Sequence, residues 1–452
     1  MGTRTIIVSL LGILIFGMAN KVHGQYIRSC ATPSPLAPEA GPPPTGAATA
    51  ALGAEAVALA TPGGESLQLI PSICVSERYD SNVFFAPKTP GLQREDFVTN
   101  VSPKMHVNHN GEYAAGFLDL VGFYESYVRN PGLNYFGGSG SLFLNLDNSI
   151  KQVLPRAGLR VVDSGSYSPL PPGFSAPAAG TDPNDISNIQ NAFARGILAF
   201  RTNNFTNTGT VSSTYATTAS TNLEASYTHA MIRWGSSPGT AGIGLGGGFF
   251  DTTTQTGTVV GSVLLTGLDT GRVRYSHAQS DYVSSTTAPS FQTDTAQIGW
   301  LRTISENLRA DLGGGVIVIK PGFTSWVANA SLTMRYPNNL ATIAYSRTVF
   351  PSILGSPTPL VGNAFTFSSI QTLSQRWQVG EIVSYTQSAG DLGPSKLEFK
   401  SYLAAVDVYY WISRIWSTAF SYDYIKVDQD SGVTKTDFDR QTITFNLRAT
   451  WG

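Results

Sequence analysis

Residues 441–452 read Gln-Thr-Ile-Thr-Phe-Asn-Leu-Arg-Ala-Thr-Trp-Gly. Apolar side chains occupy every second position of this stretch, and polar side chains occupy most of the positions between them. The apolar positions are Ile443, Phe445, Leu447, Ala449 and Trp451. Because successive side chains of a β-strand point to opposite faces, the stretch predicts a strand with one apolar face, one polar face and an aromatic side chain near its end.

The same alternation recurs along the chain after Leu67, in units of about ten to fifteen residues separated by turn-forming stretches. Its clearest instance runs from Trp326 to Tyr336, where the apolar face begins and ends with an aromatic residue. Aromatic ends are expected where the two interfaces of a membrane meet one strand. The pattern predicts an all-β fold, a transmembrane antiparallel meander β-barrel of about 18 strands. A barrel of about 16 strands is the alternative, because the break near Thr221 and Asn222 is weak.

The composition agrees with such a barrel. Charged residues make up 13% of the chain, about half the usual share in soluble globular proteins, while the hydrophobic share is an ordinary 42%. Low charge without high hydrophobicity is typical of strands with one face toward lipid and the other toward water. The formal net charge is −1, which argues against nucleic acid as a partner.

The connections between the predicted strands alternate in length. Short turns such as Pro337–Asn339 are followed by longer loops such as Ser388–Lys396 and Ser166–Thr210. The longest of these, Ser166–Thr210, contains a predicted amphipathic helix, which either narrows the lumen or forms an external flap. This alternation of connection lengths predicts a periplasmic rim of short turns and an external rim of long loops.

The N-terminal part of the chain has a different character. Residues 1–24 have the layout of a secretory signal peptide, with an apolar run from Ile6 to Met18 that is too short to span a bilayer. Residues 25–67 are rich in Ala, Pro and Gly and predict a disordered periplasmic linker, so the barrel is assigned to residues 68–452. Cys30 and Cys74 are the only cysteines. In an exported chain they permit one disulfide or remain two free thiols, and the sequence leaves both open.

Two stretches resemble known outer-membrane proteins. The terminal strand is similar to the C-terminal β-signal that the barrel insertion machinery reads in bacteria, although Gly452 follows the aromatic residue that usually ends it. This resemblance implies that Phe445, Leu447 and Trp451 form an insertion signal. The other stretch, Glu77–Phe84, resembles the opening hairpin of outer-membrane β-barrel porins found with bacterial exopolysaccharide and exosortase systems.

Further short motifs belong to the second resemblance: residues 96–99, residues 101–103 and Tyr227-Thr228-His229. It implies a bacterial outer-membrane barrel that passes polysaccharide or small solutes, and it supplies no catalytic residues.

The polar faces of the predicted strands supply candidates for the pore lining. A charged side chain facing hydrocarbon at mid-depth costs about 2–4 kcal/mol, whereas one facing water costs little, so we expect these side chains to face a lumen. The candidates are Lys104, His106, Asp119, Arg309, Asp311, Asn329, Arg335 and Arg448.

The sequence predicts a passive, water-filled outer-membrane channel without catalytic residues, cofactor or metal. Its expected partners are outer-membrane lipid, the insertion machinery, and small solutes or polysaccharide. One alternative is an outer-membrane hydrolase on a barrel scaffold, for which His229 and His277 are the candidate histidines. Another is a surface adhesin that binds through its long loops.

Overall fold

A computed structural model describes residues 66–451 apart from 86, 89–91, 169–202, 236–250, 284–289, 321, 351–359, 393–394 and 431–434. The predicted signal peptide, nearly all of the predicted linker and most of the long loop Ser166–Thr210, including its helix, lie outside the described residues.

The described residues form eighteen antiparallel strands in a single sheet. Their bounds are β1 (Ser66–Asp80), β2 (Asp96–Asn110), β3 (Ala115–Tyr127), β4 (Tyr135–Asn145), β5 (Ala157–Ser168), β6 (Asn204–Ala216), β7 (Thr221–Trp234), β8 (Thr252–Leu264), β9 (Asp269–Tyr282), β10 (Phe291–Ser305), β11 (Leu308–Lys320), β12 (Phe323–Tyr336), β13 (Asn339–Phe350), β14 (Leu360–Thr372), β15 (Trp377–Leu392), β16 (Ser395–Trp411), β17 (Trp416–Asp430) and β18 (Lys435–Thr450). A short helix, α1 (Asp147–Val153), connects β4 to β5, and a single 3₁₀ turn spans Pro131–Leu133.

Each strand pairs with its neighbours in sequence, and β1 pairs with both β2 and β18, which closes the sheet into a barrel. Closure leaves no strand edge unpaired. The predicted fold class and strand number are therefore confirmed, and the weak break near Thr221 is a true turn between β6 and β7. A barrel of 18 strands is large enough to enclose a space inside its wall.

The two faces of the sheet differ as the alternation predicted. On β18, Phe445 is 52% exposed and Asn446 beside it is 6% exposed. Cys74 pairs in register with both Ser102 and Arg448, so these three side chains share the inner face. The outer face is apolar along most strands, and the inner face carries most of the polar side chains.

Aromatic side chains form pairs at two levels of the outer face. On β15 and β16, Trp377 stacks near Tyr410 with ring centroids 4.5 Å apart, close to the end where β1 begins and β18 ends. Tyr385 and Tyr402 form a second pair, with centroids 5.0 Å apart, further along the same two strands. Such paired belts are typical of barrels that cross a lipid bilayer.

The end of the barrel that carries the start of β1 and the end of β18 is here called the terminal rim, and the opposite end the loop rim. The described turns at the terminal rim are short, with the exception of the connection between β4 and β5, which contains α1. At the loop rim, the long loop predicted at Ser388–Lys396 is wrong, because β15 continues to Leu392 and β16 resumes at Ser395. The alternation of connection lengths is therefore less regular than the sequence indicated.

The outer wall also departs from the apolar pattern in places, and a carboxylate on β5 is one of them. Asp163 on β5 faces outward, opposite Gly209, and Asn207 donates from Nδ2 to both of its carboxylate oxygens at 3.2 and 3.3 Å. It lines a recess of about 970 Å³ whose floor includes Gly138 and Gly140. The recess forms because these glycines have no side chains. The hydrogen bonds from Asn207 reduce the free-energy cost of placing the Asp163 carboxylate on the outer wall.

Among the described residues, no helix is long and apolar enough to cross a membrane.

Candidate functional site: the inner face and the loop-rim mouth

All the predicted pore-lining residues lie on the inner face of the barrel. Their strands are β2 for Lys104 and His106, β3 for Asp119, β11 for Arg309 and Asp311, β12 for Asn329 and Arg335, and β18 for Arg448. Their role in conduction stays a prediction.

Three of these residues form a charge cluster on β2 and β3. Lys104 Nζ lies 3.0 Å from Asp119 Oδ1, and His106 Nδ1 lies 2.9 Å from the same oxygen. The strand register explains these contacts. His106 lies directly opposite Asp119, and Lys104 lies two residues before His106 on the same face of β2. The carboxylate is buried and balanced by Lys104, so the cluster places compensated charge on the inner wall.

A second group of charges lies across the barrel on β9, β11 and β12. Arg272 on β9 reaches over Gly299 of β10 and pairs with Asp311 on β11. Arg309 lies two residues before Asp311 on β11, and Arg335 lies on the inner face of the adjacent strand β12. Arginines outnumber carboxylates in this group, so this part of the inner wall carries an excess of positive charge. Sequence reasoning missed Arg272, although its position in an alternating strand was a signal that it faced inward.

The mouth at the loop rim is shaped by residues that the sequence did not single out. After β1 the chain turns into the barrel instead of continuing outward, and Val83 and Phe85 are 1% and 2% exposed. Phe85 packs against Ile425, Val427 and Phe438 on the inner wall of β17 and β18. Val83 packs separately, against Val98, Tyr127 and Leu133. Residues 81–85 therefore cover part of the inner wall at the mouth, and we call them the mouth segment.

The backbone of the mouth segment is held in an unusual conformation. Phe85 has a φ of 54°, in the left-handed region that residues other than glycine rarely adopt. Its N–H donates to the carbonyl of Asn82 at 3.2 Å, and Val83 N–H donates to the carbonyl of Arg94 at 2.8 Å. A strained backbone of this kind persists only where the surrounding contacts hold it, which here are the buried ring and these hydrogen bonds.

Four charged residues beneath the mouth segment form what we call the mouth network: Arg78, Asp80, Glu125 and Arg440. Arg78 donates to the two oxygens of Glu125 at 3.1 and 3.0 Å, and Arg440 donates to the two oxygens of Asp80 at 3.0 and 2.6 Å. The guanidinium carbon of Arg440 also lies 4.4 Å from the centroid of the Phe85 ring. Bidentate pairs of this geometry are among the stronger polar contacts in proteins.

Hydrogen bonds join the mouth network to the mouth segment. Asn82 N–H donates to Asp80 Oδ1 at 3.0 Å, and Asn82 Nδ2 donates to the carbonyl of Asp439, 357 positions later in the chain, at 3.1 Å. Asp80 and Asn82 belong to Glu77–Phe84, the stretch that resembles the opening hairpin of porins. The structure therefore gives that stretch a physical role, which is to fix the inward turn of the chain at the mouth.

The connection between β1 and β2, which contains the mouth segment, is also held at its other end, where β2 begins. Asp96, at the start of β2, accepts hydrogen bonds from the backbone N–H groups of Arg129 and Asn130, at 2.8 and 2.9 Å. The hydrogen bond from Arg129 lowers the pKa of the neighbouring Glu95 carboxyl below its ordinary value. These contacts join the first and second connections at the loop rim.

The cysteine prediction is partly resolved. Cys74 is disulfide-bonded, and its side chain is 3% exposed on the inner face of β1. Cys30 lies outside the described residues, so the pairing of Cys30 with Cys74 stays a prediction. Any partner bonded to Cys74 must approach the inner wall.

The residues proposed for the hydrolase alternative do not meet inside the barrel. His229 on β7 and His277 on β9 both face outward, and His277 Nδ1 lies 2.8 Å from Asp294 Oδ1 near the loop rim. In the described part of the chain, no group of three or more His, Cys, Asp or Glu side chains is arranged to hold a metal ion.

Comparisons with known proteins return outer-membrane barrels. The outer membrane protein opdK from Pseudomonas aeruginosa has 8% identity and a TM-score of 0.43, over 85% of this chain and 99% of that chain. Acinetobacter baumannii OccAB3 has 12% identity and a TM-score of 0.42, over 85% of this chain and 100% of that chain. The P. aeruginosa ferric enterobactin receptor has 9% identity and a TM-score of 0.40, over 85% and 81%. No protein-family model and no curated protein matches the sequence.

The chain's own construction defines its class. A closed antiparallel barrel with an apolar outer face, aromatic belts and a polar inner face is the form in which β-strands cross a membrane. The protein is a transmembrane β-barrel of the bacterial outer-membrane type.

Proposed function

We propose that the barrel is a passive, water-filled channel for small hydrophilic solutes across the bacterial outer membrane. The observation that carries the proposal is the placement of charge. Lys104, Asp119, Arg272 and Asp311 all lie on the inner face, whereas the outer face of the same strands is mostly apolar. Charged side chains within a membrane face the protein interior or a water-filled cavity and not the lipid.

The mouth segment would set the size limit of the channel, because it covers part of the inner wall at the loop-rim end. Reconstitution of the full chain into liposomes tests the proposal. Vesicles loaded with an impermeant osmolyte should swell in isotonic solutions of small sugars and amino acids, and the swelling rate should fall steeply as solute size increases. Swelling no faster than that of protein-free vesicles, for every solute, would refute a passive channel.

A role in exopolysaccharide passage is a finer proposal. Its support is the resemblance of Glu77–Phe84 to porins of exopolysaccharide systems, together with the part these residues play at the mouth. Deleting the gene in its host should leave newly made polysaccharide in the periplasm instead of the medium. Unchanged secretion would restrict the protein to small solutes.

A further inference from the structure

The inner wall of β8, β9 and β10 has a region without charged side chains. It begins at the loop rim, and on β9 it ends toward the terminal rim at Arg274. We call this region the hydroxyl wall, and it consists of Thr254, Thr256, Thr258, Ser276, Ser280, Thr293, Thr295 and Gln297. The register places these residues side by side, since Thr256 and Thr293 both pair with Ala278, and Thr258 and Thr295 both pair with Ser276.

Some of the hydroxyls in this wall bond to each other. Thr254 Oγ1 lies 3.0 Å from Ser280 Oγ, and Thr258 Oγ1 lies 2.6 Å from Ser276 Oγ. These pairs are cross-strand neighbours, so their contacts follow from the register.

Other polar atoms in the wall have no such partner. The hydroxyls of Thr256, Thr293 and Thr295 and the side-chain nitrogen of Gln297 are buried and make no hydrogen bond within the described part of the chain. A buried polar group without a partner is costly and is rare in folded proteins. Their concentration on adjacent strands indicates a surface that needs hydrogen-bonding groups from something else.

We propose that the hydroxyl wall is a binding site for a neutral polyhydroxylated solute, a sugar or polyol, on its way through the lumen. A threonine hydroxyl both donates and accepts hydrogen bonds, as a sugar hydroxyl does, so the unpaired groups match this chemistry in either direction. Ala278, which lies between Thr256 and Thr293 in the register, carries only a methyl side chain. A charged solute would lose hydration at these uncharged groups, which disfavours it.

This inference rests on the proposed channel function, and one experiment separates the two. The full chain is inserted into planar bilayers in salt solution, and the ion current is recorded as trehalose, a neutral disaccharide, is added. The wild-type current should fall with trehalose concentration and saturate, as expected for a site within the conducting path. Absence of any current refutes the channel, whereas a current that trehalose does not block saturably refutes the hydroxyl wall alone.

Valine substitutions identify the site. Thr256→Val, Thr293→Val and Thr295→Val together keep the β-branched shape and remove three hydroxyls, and should weaken the block about tenfold or more. Thr210→Val with Thr228→Val is the matched control, because these two hydroxyls lie 3.0 Å apart and bond to each other on the adjoining inner wall. Trehalose should block the ion current of this control variant as strongly as it blocks the current of the wild type.

The single variants Thr293→Val and Thr295→Val are measured alongside, so that failure of the triple variant to assemble still leaves a result. Each should weaken the block about threefold. Equal block by wild type and the valine variants would show that these hydroxyls do not bind the solute.

Discussion

Phe85 is the residue on which the shape of the mouth depends most. Its ring is buried against Ile425, Val427 and Phe438, and its backbone has a positive φ. Phe85→Ala should remove packing worth about 3 kcal/mol and release the mouth segment from the inner wall. The single-channel conductance should rise, because the chain no longer covers part of the opening.

Phe136→Ala is the control for this prediction, since Phe136 is 74% exposed on the outer face. It removes an aromatic ring of the same size without touching the mouth, and its conductance should equal that of the wild type. If Phe85→Ala assembles and conducts like Phe136→Ala, the mouth segment does not limit the channel.

Ion selectivity should depend on the arginines of β11 and β12. Arg309 and Arg335 lie on the inner face, in the group on β9, β11 and β12 in which arginines outnumber carboxylates. Converting both to glutamine should leave assembly intact and shift the reversal potential in a salt gradient toward cation selectivity. Arg302→Gln is the control, because Arg302 is exposed on the outer face beside Trp300, and it should leave the reversal potential unchanged. An unchanged potential in the double variant would mean that these arginines do not line the conducting path.

The last strand, β18, closes the barrel. It pairs with both β17 and β1, and Trp451 directly after it donates its N–H to the carbonyl of Pro71 at 3.0 Å. The Trp451 side chain is 46% exposed, so its removal costs little packing in the finished barrel. Trp451→Ala should nevertheless reduce the amount of heat-modifiable barrel in outer membranes, because we expect the insertion machinery to read this residue. Refolding of the purified variant in detergent should be normal, and equal losses in both assays would indicate a packing defect instead.

The strands could be predicted from the sequence because their signal is local. Alternation with a period of two follows from strand geometry, so β12 and β18 could be assigned a face without knowledge of their neighbours. The inner position of Arg309 and Arg335 followed for the same reason. By contrast, Ser388–Lys396 reads as a loop because it contains Gly390, Gly393 and Pro394, yet the ladder with the neighbouring strands extends β15 to Leu392.

The mouth could not be predicted because its contacts are distant in sequence. Val83 and Phe85 read as part of a short apolar run after β1, and nothing nearby indicates that they turn inward. The residues that hold them, such as Asp439 and Arg440, follow more than three hundred positions later. The meeting of Arg78 with Glu125 likewise depends on the register of three strands.

For the whole molecule, the orientation in the membrane follows from the two rims. We expect the terminal rim to lie in the periplasm and the loop rim outside the cell. Protease added to intact cells should cut within residues 169–202 and 236–250, and it should spare the terminal-rim turns such as residues 217–220. It should also spare residues 81–85, although they belong to a loop-rim connection, because the mouth segment is buried. Cleavage at the terminal-rim turns in intact cells would reverse the orientation.

If the interior of this barrel conducts ions through water, single-channel recording will show the current. Purified, folded full-length protein added to a planar bilayer should produce discrete current steps of uniform size. The current should be linear in voltage and should increase in proportion to the conductivity of the salt solution. We expect discrete steps with these properties; a bilayer that stays at baseline current, although folded barrel is shown to have inserted, would mean that the barrel is closed to ions.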